Sequence, residues 1–113
     1  MAAPTIDRTT FAELQETAGA EFVAELIDTF LEEAPPMLDT LRASLDAEDA
    51  EAFRRAAHSL KSNAGTFGAL ALASMARDLE LNGIEAARGS GALAAVAEHY
   101  AEVAAELKAL RGG

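Results

Sequence analysis

Alanine fills 28 of the 113 positions of this chain, and no other feature narrows its possible folds as much. Alanine gives up no side-chain entropy in a helix and offers a sheet little to pack with. Aromatic residues make up only 5%, so the large, flat side chains that would stiffen strands are scarce. Closely packed helices are therefore expected. A hydrophobic share of 50% suffices for one core in a chain of this length, but not for two.

Helical spacing recurs from near residue 10 to the end, and no convincing strand appears. Thr10 with Glu13 has the spacing of a capping box, opening a short helix through Phe11 and Leu14 that Gly19 closes. A second helix is expected from about Ala20 to Glu33, with Phe22, Leu26 and Phe30 inward. Pro35-Pro36 should stop it and begin a third helix to about Ala47, burying Leu38, Leu41 and Leu45. Asp49 is placed to cap the next helix, which should fray between Gly65 and Gly68. Leu72, Met75, Ala76 and Leu79 mark a further helix that Asn82-Gly83 would end. Ser90 would cap the last one, where Leu93, Val96, Tyr100, Val103, Leu107 and Leu110 alternate three and four apart. No repeat or linker divides the chain. One domain over residues 10–110 is expected, between an N-terminal tail (1–9) and a C-terminal tail (111–113).

The net charge of −10 argues against nucleic acid or an anionic membrane as partner, because both call for a basic footprint. Without cysteine there is no disulfide framework and no thiolate chemistry. Met1-Ala2-Ala3-Pro4-Thr5 lacks the basic and apolar regions of a signal peptide, and no apolar run approaches the ~20 residues of a membrane span. A cytoplasmic location is expected.

One helix stands apart. At about 100° per residue, His58, Lys61, Ser62 and Gly65 share a face, while Phe53, Ala56, Ala57, Leu60, Ala64 and Phe67 form a stripe centred roughly 140° away. The imidazole is thus turned to water beside a cation, on a strip of small residues that lets another molecule come close. Three of the nine basic residues, Arg54, Arg55 and Lys61, fall within this eight-residue window of an otherwise acidic chain.

That combination suits a histidine that carries a phosphoryl group. An acyl phosphate already has a good leaving group, so no strong base is needed, and unperturbed imidazole is mostly neutral near pH 7. Transfer then depends on alignment and on neutralising phosphoryl oxygens, which Lys61 and Arg54 are placed to assist. Each part has an ordinary reading alone: a solvated histidine, a soluble basic face, glycines at a helix end. Together they are more specific. His99 lacks such a setting; it lies off the apolar stripe between Glu98 and Glu102 and is expected at the surface. Neither histidine comes with an acidic cluster assignable to a metal.

Ala57-His58-x-Leu60-Lys61-Ser62 followed by Gly68 resembles the signature of histidine phosphotransfer (HPt) domains, the intermediates of multistep phosphorelays. Leu31-Glu32-Glu33-Ala34-Pro35 through Leu41 and Leu45, then Asp49, is similar to their pattern too, and the likeness extends roughly from Phe11 to Leu110. It implies an all-α antiparallel four-helix bundle, here with a short extra N-terminal helix. It also implies that His58 is the phosphoacceptor, that Lys61 holds the phosphoryl group, and that Ser62 and Gly65 leave room for a receiver domain. Glycine is the family's usual residue where Ser62 stands. By the same resemblance the chain has no cofactor of its own, and the receiver brings the magnesium and the aspartate pocket.

The expected activity is that of a monomeric phosphocarrier between an aspartate of a hybrid kinase's receiver and one of a response regulator. Arg54 and Arg55 would assist docking. No nucleotide motif points to ATP use. Two alternatives stay open: a helical adaptor whose histidine is incidental, and the directly phosphorylated domain of a chemotaxis-type kinase.

Overall fold

The computed structural model describes residues 5–112. It contains five helices and, among the described residues, no strand: α1 (Arg8–Ala18), α2 (Ala20–Ala47), α3 (Ala50–Thr66), α4 (Leu70–Ala87) and α5 (Ala92–Leu110). The all-helical expectation holds. None of these helices is long and apolar enough to cross a membrane.

The first helix begins earlier than its sequence suggests. Asp7, not Thr10, is the cap, its carboxylate accepting from the Thr10 backbone N–H at 3.2 Å and from the Thr10 hydroxyl. Aspartate is among the strongest N-caps, so it takes the role from threonine. Ile6 is fully buried and the Asp7 N–H donates to the Gly68 carbonyl at 2.8 Å. The packed region therefore starts within what the spacing assigns to a tail.

The larger correction concerns Pro35-Pro36. One helix of 28 residues runs from Ala20 to Ala47 straight through both prolines. Each removes an N–H, freeing the Leu31 and Glu32 carbonyls, and interior proline normally costs about 3 kcal/mol. Both prolines are exposed, so water can reach the freed carbonyls, while Phe30, Ala34 and Leu41 keep the inner face anchored. The inward stripe is also one residue round from expectation. Val23, Ile27, Phe30 and Ala34 are buried at three-four spacing, and Phe22 is 51% exposed.

Elsewhere the caps work as read, whereas the stop expected at Asn82-Gly83 is a kink that α4 passes through before ending at Ala87. Asp49 caps α3 by accepting from the Ala52 N–H at 3.1 Å. Gly83 leaves helical geometry (φ 78, ψ −173), bending α4 one turn before it ends. Gly91 is the residue before α5, yet Ser90 makes the capping bond, its hydroxyl accepting from the Ala92 N–H at 3.1 Å.

Helix α2 packs on α3, α3 on α4, α4 on α5, and α5 returns to α2, with α1 against α2. Phe30 of α2 ties this ring together. Its ring lies 5.5 Å from that of Phe67 and 5.8 Å, edge-on, from that of Tyr100. Tyr100 is buried, which raises its phenol pKa and keeps it neutral.

Candidate functional site

The site follows from the inner face of α3. Phe53, Ala56, Ala57, Leu60 and Ala64, with Phe67 beyond the helix end, are all buried. That stripe fixes the rotation of α3 and sends His58 to the opposite, solvent side, where its side chain is 56% exposed. Four of the stripe's six members are alanine or leucine, so neighbouring helices approach closely and hold α3 in one register.

Across from His58, α4 contributes a residue that the sequence does not single out. Glu80 accepts from His58 Nδ1 at 2.9 Å through Oε2, and Lys61 Nζ lies 3.0 Å from its other oxygen, Oε1. Its side chain is only 14% exposed. The ion pair with Lys61, reinforced by His58 and opposed by partial burial, holds the Glu80 carboxyl below the usual carboxylate range. Glu80 is therefore ionised at neutral pH.

An ionised carboxylate can only accept hydrogen bonds, so Nδ1 must carry the proton. In neutral imidazole the other nitrogen, Nε2, then holds a free lone pair. Glu80 thus selects one tautomer and orients the ring, as carboxylates commonly do for functional histidines. Lys61, expected to help neutralise phosphoryl oxygens, is one-third exposed and tied to Glu80.

Around this triad lies the rest of the predicted strip. Ser62 is exposed, and a Cβ built on Gly65 would meet nothing within 4 Å. The surface beside His58 is therefore shallow. Arg54 and Arg55 are both exposed but diverge: Arg54 shares the Lys61 side of α3, whereas Arg55 lines a groove against α2 with Pro36, Met37 and Thr40. Gly68 is not part of this surface. It adopts φ +83, and a Cβ there would lie 2.8 Å from the Asp7 carbonyl, so glycine permits the close crossing of the chain's start over the α3–α4 connection.

His99 departs from expectation. Its side chain is only 22% exposed, with Nδ1 3.3 Å from Glu102 and Nε2 buried without a partner. It sits at the edge of the core rather than on the surface, because α5 turns it beside the buried Val96 and Val103. No lysine or small-residue strip accompanies it.

The geometry agrees with what the chain resembles. The sequence model of the Hpt domain family matches residues 25–113. The crystal structure of histidine-containing phosphotransfer protein B (HptB) from Pseudomonas aeruginosa PAO1 superposes with a TM-score of 0.85 at 32% identity, covering 98% of this chain and 97% of that one. No curated protein matches the chain. With a family match over most of its length and a solved relative of the same fold, the chain belongs to the Hpt domain family, and its role is phosphotransfer in phosphorelays.

Proposed function

We propose that His58 takes a phosphoryl group from an aspartate of one receiver domain and passes it to an aspartate of another. The observation that carries this reading is the 2.9 Å bond from His58 Nδ1 to Glu80, which in the neutral ring puts the free lone pair on Nε2 of an exposed side chain. In the forward step the Nε2 lone pair forms a bond to phosphorus as the bond to the receiver's aspartyl oxygen breaks, and that aspartate leaves as a carboxylate. The proton stays on Nδ1, so the phosphorylated ring carries positive charge. Glu80 is placed to offset that charge as it develops. Lys61, already beside the ring, turns part of its charge to the phosphoryl oxygens. The return step is the same displacement in reverse.

The docking strip of Arg54, Arg55, Ser62 and Gly65 and the antiparallel four-helix arrangement of α2–α5 belong to the same reading. The latter is supported by the ring of contacts and by connections of two, three and four residues, which turn consecutive helices back on each other. Magnesium and the aspartate pocket would come from the receiver, and the chain would act as a monomer. Incubation with an aspartyl-phosphorylated receiver should give acid-labile, alkali-stable phosphate on this chain. His58→Gln should abolish it and leave helicity and melting nearly unchanged. Loss of the label in His99→Gln instead would overturn the assignment.

A further inference from the structure

We infer that the receiver's footprint extends from α3 onto the outer face of α4, with Arg77 and Leu81 as contact residues. This deepens the receiver-docking reading above and rests on it. The first observation is how the arginines are distributed. Arg8, Arg42, Arg88 and Arg111 each pair with a carboxylate. Arg54, Arg55 and Arg77 make no ion pair among the described residues, in a chain carrying 19 acidic residues against nine basic ones. Two of those three flank His58 on α3. The third, Arg77, stands one turn from Glu80 on α4, and Glu80 itself bonds both His58 and Lys61.

The second observation is apolar. Phe22, Leu70 and Leu81 are the large hydrophobic residues that stay exposed among those described, and two of them lie on α4. At about 100° per residue, Leu70, Arg77 and Leu81 fall within roughly 40° of one another. This line sits some 60–100° beyond Glu80 on the side away from the buried Leu72 and Leu79. Leu81 is 65% exposed and next in sequence to the residue that holds His58. The outer face of α4 therefore continues the reactive face of α3 and offers an apolar contact between unpaired cations. That chemistry fits the acidic mouth of a receiver's phosphorylation pocket, where carboxylates meet Arg54 and Arg77 while an apolar rim residue covers Leu81.

The test uses the full chain and a panel of receiver domains phosphorylated with acetyl phosphate, taking the one that transfers fastest. Arg77→Glu should lower the second-order transfer rate by about tenfold at low salt, with the deficit shrinking in high salt. Leu81→Glu should lower it by a similar factor at both. Labelling of His58 by phosphoramidate, and the melting temperature, should stay unchanged in both. Arg42→Glu, with the same charge change on the far side of α2, is the control. Rates for both variants within twofold of that control would overturn the inference, as would parallel loss of phosphoramidate labelling, which would place the effect on His58 chemistry. If no receiver transfers to the parent chain although phosphoramidate labels His58, the receiver reading itself fails and this inference falls with it.

Discussion

On the proposed reading three side chains divide the work: His58 would supply the nucleophile, Glu80 its orientation, and Lys61 a charge shared between Glu80, which it contacts, and an incoming phosphoryl group. Glu80→Gln keeps an acceptor for Nδ1–H but removes the negative charge. It should slow transfer several-fold without preventing labelling, measured as single-turnover phosphate appearance from a receiver. Lys61→Ala should slow transfer or shorten the phosphohistidine lifetime at low ionic strength by about fivefold or less, the scale of a ~1 kcal/mol partly exposed charge pair. Unchanged rates and lifetime would remove Lys61 from the site. The pH dependence has a definite sign. Because the folded-state pKa of Glu80 is lowered, mainly by Lys61, its contribution to stability is present above the ordinary carboxylate value and is lost as pH falls through the lower folded value. Melting temperature followed from neutral to acid pH should therefore fall less steeply in Glu80→Gln than in the parent. His58 and Lys61 were legible in the sequence because both belong to one helix, where spacing fixes direction. Glu80 was not, because 22 residues and a helix–helix packing separate it from His58.

At the scale of elements, glycine and proline mislead or inform according to where their backbone lies. Gly65 is helical with open space above it, so Gly65→Ala should stabilise α3 by about 0.5–1 kcal/mol. Gly68 has positive φ and a carbonyl 2.8 Å from any added Cβ, so Gly68→Ala should destabilise by about 1–3 kcal/mol. Urea midpoints of the two variants, shifting in opposite directions, check the distinction between a docking glycine and a crossing glycine. Capping was legible at Asp49, which immediately precedes its helix, and at Ser90, one residue further out, because each polar side chain stands at the edge of an apolar pattern. It was misread at Thr10, because Asp7 lies outside the apolar pattern that defines the helix. The proline pair was misread for a different reason. Local rules count a lost hydrogen bond and a steric clash, whereas α2 survives on the buried residues either side of it.

Helices α2 to α5 form one ring closed on Phe30, in a chain of net charge −10. Phe30→Ala should cost about 3–5 kcal/mol and lower the melting temperature of the entire domain in a single transition. Alanine content and spacing made the helical class legible, since they act along the chain. Which residue of α2 points inward, and that α4 sets Glu80 beside His58, depend on how helices meet and were beyond spacing alone. In the proposed mechanism this architecture presents Nε2 of His58, with Nδ1–H held by Glu80, as the phosphoacceptor. The most direct measurement is NMR of the chain with nitrogen-15 in its histidine rings, before and after phosphoramidate. The Nδ1–H tautomer is expected for His58 at rest, then phosphorus coupling at His58 Nε2 alone. Coupling at Nδ1 of His58, or at His99, would contradict the mechanism.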